Sequence, residues 1–312
     1  MDVILVNLIK YQAFIRVVEL GNVTKAAQDL GYSQPGISHM LDSLESELGF
    51  PLLTRGKDCV RPTPEGEKIL FYCRQIVKNQ NLLLETADSV NGLMSGTLSI
   101  GTLYTTIISG IVPRIIRDFT SAYSNIQIRL LEYALPAIPE QLQNGDIDIA
   151  FMAGPVPKGF EFLPLFEDVI CLVMAKDHPF SQYDKVPIAK LSGCDFITPN
   201  AGWDDNLQLV SAKKSFTPHI RHYAASDAAG TVMAAEGLGV YIVSRLQAES
   251  SGIPVAIREF REDVSRTVGV AYRKTKYPSP ILREFIHTVE RNKDFIQAKV
   301  SAAMDKEKET RD

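Results

Sequence analysis

Apolar residues recur at helical spacing from the start of the chain. In "LIKYQAFIRVVEL" (8–20), Tyr11, Phe14, Ile15 and Val18 fall at i, i+3, i+4 and i+7, which predicts an amphipathic helix closed near Gly21. "TKAAQDL" (24–30) reads as a second short helix. Ala26 and Ala27 are small enough to admit a neighbouring helix, and Gly31 can take the left-handed conformation that stops this one. The next segment opens "GYSQPG" and carries Ile37, Leu41, Leu44 and Leu48 at spacings of 4, 3 and 4. Ser33 as N-cap and Pro35 in the first turn, where its missing N–H costs little, make the Pro-Gly pair a helix start. Gln34, Ser38 and His39 then face away from the apolar stripe. In a helix-turn-helix of this form, small polar residues at the start of the second helix reach base edges in the major groove.

"LLTRGKDCVRPTPEGE" (52–67) reads as strand, Gly-Lys-Asp turn and strand, then Thr63 and Pro64 as N-cap and first residue of a helix. A hairpin after a helix-turn-helix is a wing. This one groups Arg55, Lys57 and Arg61 where phosphates would pass. Residues 64–91 predict one long helix, with Ile69, Cys73, Ile76, Gln80, Leu83, Ala87 and Val90 spaced 4, 3, 4, 3, 4, 3. That is a heptad seam with one polar position, and it predicts a dimer. "NGLMSG" (91–96) ends it as a hinge.

Beyond Gly96 the texture alternates between strands and helices. Strands are expected in "TLSIGT", "IQIRLLEY", "DIDIAFM", "DVICLVMA", "DFITP", "IRHYAA" and "VGVAYR". Helices are expected in "TIISGIVPRIIRDFTSAY", "IPEQLQNG", "DNLQLVSAKKSF", "SDAAGTVMAAEG" and "SPILREFIHTVERNKDFIQAKVSAAM". The alternation implies α/β units with largely parallel pairing. "DKEKETRD" at the end reads as a charged, mobile tail.

With 312 residues, 45% hydrophobic and 22% charged, the chain has room for one large domain or two ordinary ones with full cores. It shows no basic n-region followed by an apolar run and no apolar stretch near the ~20 residues a membrane span needs, so neither a signal peptide nor a membrane segment is expected. Cys59, Cys73, Cys171 and Cys194 are scattered without a CxxC, which suits a reducing cytosol. The net charge is −4, and the first 62 residues hold six Lys/Arg against seven Asp/Glu. A DNA-binding reading therefore rests on where the charges lie rather than on their sum.

With these pieces in place the chain resembles the LysR-type transcriptional regulators over nearly its whole length. The likeness is carried by "AAQDLGYSQPGISHMLDSLESELGFPLLTR" and "PTPEGE", then in order by "GTLSIGT", "GDIDIAF" and "AAEGLGV". The resemblance implies an α/β protein with an α-rich N-terminal module. It implies a winged helix-turn-helix over 1–63, a dimerising linker helix over 64–92 and a two-lobed effector domain, like the type II periplasmic binding proteins, over 97–300. Lobe I would take about 97–164 and 268–300, lobe II about 165–267, and the tail 301–312. A cytoplasmic regulator follows, binding an interrupted promoter palindrome, with double-stranded DNA, a small-molecule effector, its own copies and RNA polymerase as partners. No cofactor or metal is expected. By match to the motif, Thr24, Ser33, Gln34, Pro35, Ser38 and His39 contact DNA together with Arg55, Lys57 and Arg61. The family commonly has Arg where this chain has His39, which makes base reading there less firm and adds a pH dependence. Ser244 stands where the family usually has Pro.

In this family the loop after the first effector strand faces the cleft between the lobes. Here that loop offers the hydroxyls of Thr102, Thr105 and Thr106 and a helix start suited to an anion. Across it the expected partners are Asn200, Trp203 (the only tryptophan) and Ser226, with Tyr133 on another wall. None of these is Lys or Arg, which favours a mono-acid, neutral or aromatic effector. An enzyme finds no support: there is no HExxH, GxSxG or P-loop, "SAKK" (211–214) is a lone tetrapeptide, and "GLGV" lacks the third glycine of a dinucleotide fingerprint. His219 and His222, three apart on a strand, point to opposite faces. A thiol switch through Cys171 and Cys194 is set against buried, inert thiols, the expected state. A solute-binding protein with a fused adaptor is disfavoured by the leading winged helix.

Overall fold

The computed structural model describes residues 8–55, 60–91, 94–199, 205–214 and 216–309. It divides into two compact units, one built on residues up to Met94 and the other on residues from Ser95.

The first unit opens with three helices, α1 (Leu8–Leu20), α2 (Val23–Leu30) and α3 (Gln34–Leu48). Asn22 caps α2 by accepting from Lys25 N at 3.0 Å, and Gly31 closes it at φ 73°. Ser33 caps α3 by accepting from Gly36 N at 3.2 Å. The apolar faces meet in one core: Ala13, Phe14 and Val17 of α1, Ala26 and Ala27 of α2, Ile37, Leu41 and Leu44 of α3, and Leu52. Leu48, the last of the expected stripe, is partly buried against it. A hairpin of β1 (Leu53–Arg55) and β2 (Val60–Pro62) follows, then α4 (Pro64–Val90). The Gly-Lys-Asp turn lies outside the described residues.

The junction of wing and α4 is tightly specified. Thr63 Oγ1 accepts from Gly66 N at 2.9 Å and donates to Pro51 O at 2.9 Å, while Thr63 N donates to Leu52 O at 2.9 Å. Glu45 Oε1 accepts from Leu52 N and Leu53 N at 2.7 and 3.0 Å, tying α3 to the same segment. The Leu52 carbonyl lies so close that a Cβ on Gly66 would be 2.1 Å from it. The heptad seam divides. Cys73 is buried and Ile69 packs on the helix-turn-helix core, so the first seam positions face their own unit. Farther along, Ile76, Leu83, Leu84 and Val90 are exposed, Leu83 to 66% and Val90 to 82%.

In the second unit β3 (Gly96–Thr102) lies parallel to β4 (Ile126–Glu132) and β5 (Ile149–Ala153). Between β3 and β4 come α5 (Tyr104–Ile108) and α6 (Ile111–Ala122), and α7 (Ile138–Asn144) precedes β5. The single helix expected through Pro113 is broken at Gly110, φ 79°. Pro113 then sits in the first turn of α6, where no backbone N–H is needed. The long β6 (Phe160–Met174) pairs over its first part with β11 (Ser265–Arg273). Over its second part it pairs with β9 (Tyr241–Ser244) and β10 (Ala256–Glu259). The β6–β11 register slips between Val268 and Gly269, where Phe166 and Pro164 are the successive partners. Around this second part lie β7 (Asp195–Pro199) parallel to β8 (His219–Ala224), α8 (Asp205–Lys213), α9 (Asp227–Ala235) and α10 (Arg245–Ser250).

Largely parallel pairing was the wrong expectation for this unit. β11 is antiparallel to both β5 and β6, and β6 to both β9 and β10, because long strands that connect two sub-sheets must return against their neighbours. The last expected helix is two, α11 (Pro280–Arg291) and α12 (Lys293–Glu309), divided at Asn292. α12 runs past residue 300 with Ala303 buried, and Arg245 Nε and Nη2 donate to the Ala303 and Met304 carbonyls. The expected mobile tail is therefore helical as far as Glu309.

Gly66→Ala is expected to destabilise the first unit by about 1–3 kcal/mol, because the backbone carbonyl of Leu52 must move. The exposed neighbour change Glu65→Ala should stay within about 0.5 kcal/mol. Thermal melting of the two variants beside the parent checks this.

Candidate DNA interface and ligand cleft

The start of α3 presents a polar surface because its apolar residues are consumed by the core on the opposite side. Gln34, Pro35 and His39 are exposed and Ser38 is half-buried. Gln34 Nε2 donates to Ser38 Oγ at 3.0 Å, so the two side chains form one polar unit. Thr24 and Lys25 are exposed near the start of α2, and Arg61 is exposed on β2. Lys57 and the side chain of Arg55 lie outside the described residues.

The charge balance conceals the surface. Lys10 pairs with Glu47. Arg16 clamps Asp29 through two bonds at 2.7 and 2.8 Å and reaches Glu19 at 2.9 Å. This lowers the Asp29 carboxyl and raises the Arg16 guanidinium. Acidic groups of this unit thus neutralise Lys10 and Arg16, cations of the helical scaffold. Lys25 and Arg61 make no ion pair with a described residue.

In the second unit the residues expected to face a ligand fall into two groups. Thr102 and Thr106 are fully buried, with their hydroxyls 2.7 Å apart, and Thr106 also donates to Leu103 O at 2.9 Å. Thr105 Oγ1 reaches Gln247 Oε1 of α10 at 3.1 Å. Tyr133 follows β4, and its N–H donates to Thr102 O at 3.2 Å. Ser226 is exposed and caps α9 by accepting from Ala229 N at 3.2 Å. Asn200 and Trp203 lie outside the described residues. The threonine loop, Tyr133 and α10 are therefore brought together, while Ser226 is spent on capping.

Three polar positions escaped sequence reasoning. Gln247 sits in "SRLQAES", which carries no period or motif. Glu132 ends β4 beside Thr102, its register partner; an acidic residue at the end of a strand expected to be parallel was the available signal. Asp168 is buried on β6 and accepts from Ser244 Oγ and from Arg266 Nε, the latter at 3.1 Å. Burial pushes the Asp168 carboxyl up, against the opposing pull of Arg266 and Ser244. Ser244 also caps α10 by accepting from Gln247 N at 3.3 Å. A proline could make neither side-chain bond.

The described thiols, Cys73, Cys171 and Cys194, lack what a redox switch needs, a lowered pKa. Burial pushes Cys73 up to about 11, Cys171 well above its ordinary value, and Cys194 upward with Asp195 adding to the effect. Among the described residues no group of three or more His, Cys, Asp or Glu could hold a metal ion, and no helix is long and apolar enough to cross a membrane.

Two family models match the chain. "Bacterial regulatory helix-turn-helix protein, lysR family" covers residues 8–67, and "LysR substrate binding domain" covers 91–293. The chain is 27% identical over 278 residues to the uncharacterized HTH-type transcriptional regulator YvbU of Bacillus subtilis, covering 88% of this chain and 94% of that one. Its fold is similar to that of full-length CbnR complexed with its target DNA, with TM-score 0.67, 23% identity, and 92% and 99% of the two chains covered. It is also similar to full-length OxyR of Pseudomonas aeruginosa, with TM-score 0.71, 22% identity, and 94% and 95% covered.

Alkylation followed by mass spectrometry is expected to leave Cys73 and Cys171 unmodified in the folded protein at neutral pH and to label both after unfolding in urea. Rapid labelling of either in the native state would contradict the buried, protonated thiols.

Proposed function

The chain belongs to the LysR family of helix-turn-helix transcriptional regulators, and we propose that it reads promoter DNA with the start of α3 and answers to a small molecule bound at the threonine loop. The division of α3 carries this reading: Ile37, Leu41 and Leu44 are buried on one side, and Gln34, Pro35 and His39 are exposed on the other. Gln34, Ser38 and His39 supply the short donors and acceptors that base edges require. Lys25 and Arg61, with Arg55 and Lys57 of the wing, supply the charge that phosphates require. His39 in place of a bidentate Arg gives a weaker contact at its base pair.

The exposed apolar stretch of α4 supports a dimer. Leu83, Leu84 and Val90 would be buried against a second copy of the chain, which also gives the paired recognition helices that a palindrome calls for. The division into a lobe of about 97–164 with 268–300 and a lobe of about 165–267 is supported by β6 changing partners along its length. Work on promoters would place the protein in the cytoplasm, in reach of RNA polymerase. Regulation of this kind needs no catalysis, and no enzymatic step is proposed. The likeness to OxyR does not bring a thiol switch with it, because the described thiols are raised rather than activated.

Footprinting on the DNA upstream of the protein's own gene and its neighbour tests the reading. Ser38→Ala is expected to lose about tenfold or more in preference for the protected site over competitor DNA, while general affinity falls less. Arg61→Ala should weaken binding to every sequence and reduce the salt slope by about 1. An unchanged footprint and affinity for Ser38→Ala would displace α3 from the groove. Leu83→Glu is expected to shift the protein to monomer in sedimentation and to abolish protection of the full palindrome.

A further inference from the structure

The place of α10 in the fold is set from outside the helix. At six residues it has no stability of its own, yet Arg245, Leu246, Gln247 and Ala248 are all buried. Three side chains at its start hold it. Ser244, its N-cap, donates to Asp168 of β6. Arg245, only 2% exposed, pairs through Nη1 with Glu259 of β10. Its Nε and Nη2 donate to Ala303 O and Met304 O of α12, each at 3.3 Å. The Gln247 side-chain amide lies 3.1 Å from Thr105 Oγ1 of α5. One short helix thus joins the threonine loop to the C-terminal helix.

The two ends of this connection depend on each other. α12 buries Ile296, Val300 and Ala303, spaced 4 and 3, and Gln297 Nε2 ties it to Leu165 O of β6 at 2.8 Å. Arg245 meets α12 beyond that tie, at Ala303 and Met304. A buried guanidinium keeps its place only while its N–H groups have acceptors. Removing the α12 carbonyls strands part of a charged group in the interior, and movement of the first turn of α10 toward water relieves it. At the other end, Thr102, Thr105 and Thr106 are at most 3% exposed. A molecule from solvent reaches their hydroxyls only after an element over the loop moves. α10 packs on α5 and carries the side chain bonded to Thr105.

We propose that α10 is a gate over the threonine loop and that the last turns of α12 are its catch. With α12 seated on Arg245 the gate is shut. Release of that contact lets α10 swing about its anchored N-cap, parts Gln247 from Thr105 and opens the loop to the effector. The inference rests on reading the threonine loop as the effector site, and it adds a control of that site from the C-terminal end of the chain.

Hydrogen exchange read by mass spectrometry on the full chain, with no compound added, tests the coupling. Ala303→Pro breaks α12 at the turn that meets Arg245. It is expected to speed exchange tenfold or more in peptides covering 103–110 and 244–251 and to leave α1, α2 and α3 as in the parent. Ala303→Gly, a milder change at the same turn, takes its place if circular dichroism shows the proline variant unfolded. In an Arg245→Met background the same change should alter both peptides less than twofold, because an apolar side chain does not need the carbonyls. Thr105→Val is an independent second background. There the break in α12 should still speed 244–251 while 103–110 no longer responds. Unchanged exchange in both peptides, a response of 244–251 alone in the chain with Thr105, or an equal effect with and without Arg245 would overturn the proposal. Calorimetry with propionate, benzoate and benzamide, which sample the mono-acid, aromatic and neutral classes, separates the gate from the effector reading. At least one should bind the Ala303→Pro chain fivefold or more tightly than the parent, since the cost of opening is removed. Equal affinity for the two chains would overturn the gate. If exchange behaves as expected and none of the three binds either chain, the gate stands and the effector reading at this loop fails.

Discussion

The buried carboxylate of Asp168 joins three strands at the place where the second unit changes sheets. β6 carries it, β11 contributes Arg266 and β9 contributes Ser244. Nearby, the β6–β11 ladder is at its least regular, with Pro164 offering no N–H and the register slipping at Gly269. A buried ion pair of this kind adds little net stability over apolar packing, yet removing one partner strands a charge and costs about 3–5 kcal/mol. The pair ties β6, β9 and β11 together at this point. The threonine loop, α10 and the start of α9 all take their positions from the sub-sheets that β6 and β11 join.

In the first unit an equally local constraint sets the DNA surface. The approach of the Leu52 carbonyl to Gly66 and the two bonds from Glu45 fix the wing to both α3 and α4. α3 and the wing are thereby held to one another, an arrangement that the proposed base reading by α3 calls for. The acidic residues of this unit follow the same logic. Asp29, Glu19 and Glu47 are engaged by Arg16 and Lys10, so a module with no net positive charge still offers unpaired cations.

Polar groups around the threonine loop divide by whether the fold satisfies them. Thr102 and Thr106 satisfy each other, Ser244 caps a helix, and Ser226 caps another. These hydroxyls are taken up by the architecture. One buried group there, the Gln247 amide nitrogen, has no hydrogen-bond partner.

Much of the N-terminal half was legible in the chain itself. Ser33, Pro35 and Gly31 act through backbone geometry within a few residues, and the spacing of Ile37, Leu41 and Leu44 names the buried face without reference to anything distant. The same held for strands such as "DFITP", whose apolar run and turn residues are self-contained. Other features depended on partners far along the chain. The first two positions of the heptad seam turned inward because Ile69 and Cys73 meet the helix-turn-helix core. β6 extended through Pro164 because a register slip beside Gly269 tolerates it. Gln247 acquired meaning only beside Thr105, 142 residues away. Local patterns determine helices, caps and turns because their hydrogen bonds close within a few residues. Which polar groups are left without a partner is decided by tertiary structure, since that depends on everything the fold brings near them.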